Sequence, residues 1–435
     1  MKTGAAFFLA GRMAGSAGLR GAPARHIRGA ILGIALSLVP FVLVLLVADG
    51  MINGISSRYL ETWSWHFQAE TMGPESLAGN EAAAETLRRL PGVTAAYPEI
   101  RGAALAVHGG NSAPALLRGL EPSALKEAGM LRYLRLLQGD RTLSGNHALV
   151  GSETAHKLGL GVGDSFVVVT GSGSGMGAKT TILRVGGIVS AGYRDLDELW
   201  IFVPRQLADR ILPVVARQDL IGIKVVDPYA NPEADVLRFM KALSPDGNEG
   251  LGSTWIIRPW KDLERNLFAS FETTRALLLV IMCISVLVAA ANVSSALVMI
   301  VLERSRDIAI IKATGASPNF VALVFLLTGG GTGLLGSVFG VGLGALAAWK
   351  VNELIGGIEW ILDVATGIWA RIQGGRALPI HLLDTAYYLE RIPVRLDPFE
   401  LLAVAGLAIL LSLLASTLPA IRAARLPPLE IMRKA

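Results

Sequence analysis

The chain is poor in the features that define several protein classes. It holds one cysteine, Cys283, so no internal disulfide framework can form. Charged residues make up only 17%, against roughly 25% in ordinary soluble domains. The net charge is +5 and no Lys/Arg-rich block marks a nucleic-acid surface, so no nucleic-acid partner is expected. The histidines His26, His66, His108, His147, His156 and His381 never pair at i,i+3 or i,i+4, so no metal cluster is expected. Neither a Gly-x-Ser-x-Gly nor a His-Glu-x-x-His segment occurs, and nothing else points to a catalytic centre. The chain does not read as an enzyme.

What is abundant is apolar material, 52% of 435 residues, and it is concentrated. Four stretches carry no charge: Gly29–Ala48, Ala276–Leu302, Ala313–Trp349 and Leu401–Ile421. Each has the roughly 20 residues that a helix needs to cross a bilayer core of about 30 Å. The first is read as a retained span rather than a signal peptide, because its apolar core is long and no small-x-small site follows Asp49. The expected fold is an α-helical membrane protein with four transmembrane helices. A large mixed α/β domain is inserted between the first and second helices. Residues 1–50 form a cytoplasmic segment and the first helix, 51–272 the inserted domain with a stalk, and 273–435 the other three helices.

Charge gives the orientation. Lys2, Arg12, Arg20, Arg25 and Arg28 precede the first span, and Arg422, Arg425, Arg433 and Lys434 follow the last. Positive flanks favour the cytoplasm, so both termini and the short loop 303–318 are placed inside. The segment 350–400 has five basic and seven acidic residues and is placed outside. Phe7, Phe8, Leu9 and Met13 suit a short interfacial helix before the first span.

Within the inserted domain, helical patterns occur at Glu81–Leu90, Ser123–Leu137, Glu153–Leu158 and Asn231–Leu243. Strand patterns occur at Ala104–Val107, Ala148–Val150, Ser165–Thr170, Thr181–Val189, Leu199–Val203 and Ile221–Val225, with a bend or bulge expected at Gly186-Gly187. From Asp262, the pairs Asp262/Arg265 and Glu272/Arg275 at i,i+3 suggest one continuous helix into the second span.

Two glycine motifs imitate nucleotide sites. Gly171–Thr180 has Ala178 where a phosphate loop requires glycine before Lys179-Thr180. Gly331–Gly336 fits the dinucleotide fingerprint by letter, but it lies inside a span with no strand before it. Gly329/Gly333 and Gly336/Gly340/Gly344 repeat at four-residue spacing, which lets neighbouring helices approach closely. No Asp, Glu, Lys or Arg lies in a span core, which argues against an ion-driven carrier.

The inside loop Glu303–Pro318 is a short amphipathic helix by pattern. Ile308, Ala309 and Ile311 share one face, Gly315 is a C-cap and Pro318 opens the next helix. By spacing alone it is equally a connector or a peg for a cytoplasmic partner. Outside, Trp360, Ile361, Val364, Ile368 and Ile372, with Trp369 beside them, form an apolar stripe that suits a membrane interface or packing on the stalk.

These residues resemble permease subunits of the MacB/FtsX class of ABC transporters. Glu303 to Ala316 looks like that family's coupling helix. Pro419-Ala-Ile-Arg422-Ala-Ala-Arg425, with Pro428 and Glu430, is similar to its terminal motif. Leu149-Val-Gly151 and Leu158-Gly-Leu-Gly-Val-Gly163-Asp164 resemble a segment of its outside domain. The segment from His381 to Asp397 resembles the lipoprotein-releasing LolC/LolE type in particular.

The resemblance implies a two-part outside domain in the periplasm and a place in the bacterial inner membrane. The implied partners are two copies of a cytoplasmic ABC ATPase, a second permease subunit, identical or paralogous, and a lipoprotein substrate. ATP and Mg would sit on the ATPase, with no cofactor on this chain. In the family, one paralogue captures a periplasmic lipoprotein chaperone with a hairpin. The corresponding place here, Gly171–Thr180, lacks proline and aromatic anchors.

The function expected is ATP-driven extraction of lipoproteins for transfer toward the outer membrane. Alternatives are a mechanical exporter of peptides or small hydrophobic molecules, and a mechanotransmitter that activates a periplasmic hydrolase. Glu303, Arg304, Arg306, Asp307, Ile308, Ile311, Lys312 and Gly315 are nominated for ATPase coupling. Phe41, Leu45, Ile52, Phe268, Phe271 and Leu278 are nominated as an apolar wall for substrate acyl chains.

Overall fold

A computed structural model describes residues 22–71, 77–171, 177–244, 255–373 and 392–425. The expected N-terminal interfacial helix, the tip of the Gly171–Thr180 loop, most of the His381–Asp397 segment and the tail beyond Arg425 lie outside them. The chain forms two compact units. One comprises Met1–Met51, Glu272–Ile380 and Ile392–Ala435, and the other Ile52–Phe271 with His381–Arg391.

In the first unit, four helices among the described residues are long and apolar enough to cross a membrane. They belong to α1 (Ala22–Arg58), α9 (Arg265–Glu303), α11 (Pro318–Trp349) and α13 (Pro398–Arg425); the other unit holds α2 (Leu77–Arg88), α3 (Ala128–Tyr133), α4 (Ser152–Leu158), α5 (Arg194–Asp197), α6 (Arg205–Ile211), α7 (Pro232–Leu243) and α8 (Trp260–Leu263). Two shorter helices complete this unit: α10 (Ser305–Ala313) and α12 (Val351–Gln373). The glycine repeat of α11 packs helices, as its spacing predicts. A Cβ added at Gly333 would lie 2.6 Å from the Ser412 Cβ of α13, and at Gly340 2.7 Å from the Leu38 Cβ of α1. Gly344 is equally tight, 2.8 Å from Val42. One helix thus holds two neighbours through glycine faces at different heights. The Ser412 hydroxyl donates to the Gly329 carbonyl at 2.9 Å.

The second unit is built on a ten-stranded mixed sheet. Its strands are β1 (Phe67–Thr71), β2 (Val93–His108), β3 (Asn111–Leu120), β4 (Arg135–Gly139) and β5 (His147–Gly151). They continue with β6 (Ser165–Gly171), β7 (Ala178–Ser190), β8 (Trp200–Pro204), β9 (Arg217–Val225) and β10 (Trp255–Pro259). The order is β10-β1-β9-β2-β3-β8-β5-β7-β4, and β6 pairs with both β2 and β7. That last pairing closes β2, β3, β8, β5, β7 and β6 into a ring. Alternation fills it: Ala148, Val150, Phe166, Val168, Leu183, Val185, Ile201 and Val203 form one core, while Leu149, Trp200 and Phe202 point to another. The first half of β2 leaves the ring to pair with β9. There α2 (Leu77–Arg88) and α7 (Pro232–Leu243) cover a third core around Phe67, Ile221, Ile223 and Phe239.

Three expectations need correction. Ser123–Leu137 is not one helix: a 3-10 turn and α3 (Ala128–Tyr133) give way to β4, because Leu134 turns extended and the chain pairs with β7. The helix expected from Asp262 is broken at Glu264, so Asp262 sits on α8 (Trp260–Leu263) and Arg265 opens α9. The strands β1, β3, β4 and β10 fell outside the strand patterns noted. The bulge expected at Gly186-Gly187 is present, as a register shift between Ala148 and Leu149 on β5.

Where α1 ends, a π-turn over Tyr59–Ser64 leads to Trp65, whose φ of 56° turns the chain into β1. The terminal carbonyls of a helix lack partners within it, and here two buried arginines supply them. Arg118 donates to the Thr62 carbonyl at 2.5 Å and Arg101 to that of Trp63 at 2.6 Å. Glu99, fully buried, accepts from Arg118 Nε at 2.6 Å, Arg101 Nε at 2.8 Å and Trp65 Nε1 at 2.8 Å. The guanidinium of Arg101 lies 4.3 Å from the Trp63 ring centre. Burial works against the Glu99 carboxylate, but Arg101 and Arg118 outweigh it and hold its pKa down to about 2. At Gly222 any Cβ would overlap the Trp65 ring.

Two outcomes follow for stability. Glu99→Gln leaves two buried guanidinium groups without their counter-charge and should cost about 3–5 kcal/mol, read as a lowered thermal midpoint of the full chain in detergent. An unchanged midpoint would refute the cluster's structural role. Asp197 is the second group. Burial raises its pKa from 3.8 to about 6, although Ser190 and the Ala191 and Gly192 amides donate to it. The folded state then holds this proton more tightly than the unfolded chain, so Asp197 reduces stability as pH rises from about 4 to about 6. Asp197→Asn should remove that part of the slope; identical slopes in both proteins would contradict it.

Candidate functional site

Two clusters in the first unit gather most of the nominated residues. At one, α9 ends at Glu303, α10 follows after Arg304, and α11 begins at Pro318. The turn after α10 is set by Gly315, at φ 100°. Its amide donates to Lys312 O at 3.1 Å and that of Ala316 to Ile311 O at 3.2 Å. This is the paired closure that a left-handed residue permits. The Ser317 hydroxyl oxygen accepts from the Phe320 amide at 3.3 Å and caps α11.

Side contacts pin the segment. His26 of α1 pairs with Glu303 at 3.3 Å, and Lys312 donates to the Ala424 carbonyl of α13 at 2.9 Å. Arg304 pairs with Asp307 at 2.8 Å. Ile308 and Ala309 are buried, and Ile311 packs on Ala316, Phe320 and Val324. The exposed face therefore consists of Arg306, Asp307, Ile310 and Ala313. Ile310, 47% exposed, was missed by the sequence pattern. The signal was present: an isoleucine one residue out of register with the buried row needs another reason to be apolar.

At the other cluster, Phe41, Val44, Leu45 and Ala48 of α1 and Leu278, Leu279 and Met282 of α9 line a small apolar pocket with Arg275. Three nominated wall residues, Phe41, Leu45 and Leu278, thus meet. Arg275 joins three helices: it pairs with Asp49 of α1 at 3.0 Å and with Glu400 of α13 at 3.2 Å. The other three wall residues belong to the second unit. Phe268 and Phe271 contact each other edge to face at 6.2 Å, and Phe268 packs on Trp260 at 4.9 Å. Ile52 is half-buried. The sequence reading also overlooked the ionic cluster, because Asp49, Arg275 and Glu400 are far apart in the chain.

The two clusters thus set an exposed charged face on α10 and a small apolar pocket with an ionic rim between α1 and α9. Comparison with known proteins gives the class. Residues 29–243 match the MacB-like periplasmic core domain, and residues 279–428 match the FtsX-like permease C-terminal domain. The chain belongs to the MacB/FtsX superfamily of ABC-transporter permeases. Within it, the chain is similar to lipoprotein-releasing subunits. It is 26% identical to the lipoprotein-releasing system transmembrane protein LolC of Xylella fastidiosa, over 93% of this chain and 92% of that one. It is 25% identical to LolE of Haemophilus influenzae over 80% of this chain and 79% of that one. Among solved structures, the periplasmic region of MacB from Actinobacillus actinomycetemcomitans aligns over 47% of this chain and 93% of that one, at 14% identity and a TM-score of 0.33.

Arg275→Glu would place three acids together and should loosen α1, α9 and α13. The full chain in detergent should show a lower thermal midpoint, with Arg275→Lys restoring part of it. If Arg275→Glu melts like the parent, the cluster does not hold these helices.

Proposed function

We propose that this chain is the permease subunit of an ABC transporter that extracts acylated lipoproteins from the inner membrane for transfer toward the outer membrane. The observation that carries this reading is the similarity to lipoprotein-releasing subunits over 93% of the chain. Each buried CH₂ of an acyl chain contributes about 0.8 kcal/mol to retention in the bilayer. Several long chains therefore hold their protein by tens of kcal/mol in order of magnitude. Extraction needs an external energy source, which a partner ATPase would supply with its own ATP and Mg.

In this reading the basic flanks place the termini in the cytoplasm and the sheet unit in the periplasm. The exposed face of α10, with Arg306, Asp307 and Ile310, seats in the ATPase. Its buried face, through Ile308 and Ile311, passes movement to α11, while Lys312 ties it to α13 and His26–Glu303 ties α9 to α1. Phe41, Leu45 and Leu278 offer an acyl chain an apolar surface. Whether the second permease is identical or paralogous does not alter this scheme. Direct capture of a periplasmic chaperone by this chain is not part of this reading, because the loop Gly171–Thr180 lacks proline and aromatic anchors.

Depleting the protein and fractionating membranes tests the substrate: mature lipoproteins should accumulate in the inner membrane, and normal delivery to the outer membrane would refute the reading. The coupling role has its own test. Arg306→Glu with Ile310→Asp should reduce ATPase co-purification at least tenfold while leaving the thermal midpoint unchanged, since both side chains are exposed. Full co-purification and coupled ATP hydrolysis would remove α10 from that role.

A further inference from the structure

Helix α12 follows α11 with only Lys350 between them, at φ −100° and ψ 20°. Trp349, which ends α11, is 66% exposed, and Lys350 is exposed beside it. An aromatic and a basic residue at the end of an apolar helix mark the boundary between hydrocarbon and water.

Two further contacts set the start of α12 at that level. The Asn352 side chain donates to the Ile392 carbonyl at 3.2 Å and accepts from the Ile392 amide at 3.0 Å. Ile392 lies six residues before Pro398, where α13 begins. Beside it, Gly50 of α1 approaches Pro393 so closely that a Cβ would stand 2.6 Å from the Pro393 carbonyl oxygen. The end of α11, the approach to α13 and α1 at Gly50 therefore meet where α12 starts.

From that point α12 runs for 23 residues, and its apolar side is uncovered from Leu354 to Val364. Leu354, Ile358, Ile361 and Val364 fall within one arc at helical spacing, and Ile361 is 59% exposed. Glu359 and Asp363 occupy the opposite side, at half a turn from the arc. An exposed apolar row of this length is unfavourable in water, and the tether at Lys350 keeps it beside the end of a span.

We propose that α12 lies along the bilayer surface, with the row Leu354, Ile358, Ile361 and Val364 inserted at the headgroup–acyl boundary and Glu359 and Asp363 facing water. The occupant of this face is lipid. The three acids Glu353, Glu359 and Asp363 suit a surface that is not strongly anionic. This placement rests on reading α11 as a membrane span and does not depend on the identity of the cargo.

The test uses the full chain with Cys283→Ala, reconstituted into vesicles of phosphatidylethanolamine and phosphatidylglycerol. Single cysteines carry a nitroxide at positions 358, 361 and 364, at 359 and 363, and at 343 in α11 as a span control. Relaxation by oxygen and by a water-soluble nickel chelate reports lipid and water contact. Positions 358, 361 and 364 should favour oxygen over nickel, at about 5–10 Å below the phosphates, with 359 and 363 showing the reverse. Equal nickel access on both faces would overturn the proposal, as would shielding of the apolar row from both reagents, which marks packing on protein. If position 343 is not lipid-exposed, the span reading itself fails, which separates the two.

Discussion

The buried carboxylate of Glu99 is the interaction on which the second unit most depends. It neutralises Arg101 and Arg118, and those two arginines close the open carbonyls of the π-turn after α1. Glu99 and Arg101 lie on β2 and Arg118 on β3, so the strands that begin the closed ring also hold the π-turn Tyr59–Ser64. Trp63 and Trp200 lay their ring faces against the guanidinium groups, and Trp65 meets Glu99 through its indole N–H. A buried ion group of this kind contributes little net stability against an apolar substitute. What it supplies is local geometry: Trp65 at positive φ, with no room for a side chain at Gly222 beneath its ring, turns the chain from the π-turn into β1.

Helix packing in the first unit follows a different rule. Lipid leaves no hydrophobic drive between apolar helices, so close backbone approach and few polar bonds decide which faces meet. The glycines of α11 provide that approach toward α1 and α13. At one end α9, α1 and α13 share Arg275; at the other, His26–Glu303 and Lys312–Ala424 tie α1, α9, α10 and α13. The charged contacts thus sit near the ends of the helices, while the apolar middle is held by close glycine packing and the Ser412–Gly329 hydrogen bond.

Much of this was legible in the sequence, for physical reasons. Charge-free runs of 20 residues or more announce apolar helices, and four-residue glycine spacing announces packing; both are local patterns. The turn at Gly315 and the opening of α11 at Pro318 were equally readable, because their capping residues are local. Strands β1, β4 and β10 were not, since segments of five residues gain their identity from partners far along the chain, and β3 was hidden by Pro114 and its small residues. The break at Glu264 was hidden because its neighbours form good i,i+3 charge pairs. In the candidate site, the chain positions of Phe41, Leu45 and Leu278 suggested one surface and the structure brings them together. The Asp49–Arg275–Glu400 cluster could not be read, as nothing local relates those residues. Ile310 was passed over because a pattern search rewards the buried row and ignores the apolar residue that faces outward.

The central claim is that this chain passes ATP-driven movement to an acylated lipoprotein. Its most direct test is reconstitution of the full complex, this chain with its ATPase and second permease, into liposomes loaded with a triacylated lipoprotein and supplied with a soluble acceptor. The account predicts release that requires ATP and falls at least tenfold with Phe41→Asp, while ATP hydrolysis persists. Release without ATP, or release unaffected by the presence of this chain, would contradict it.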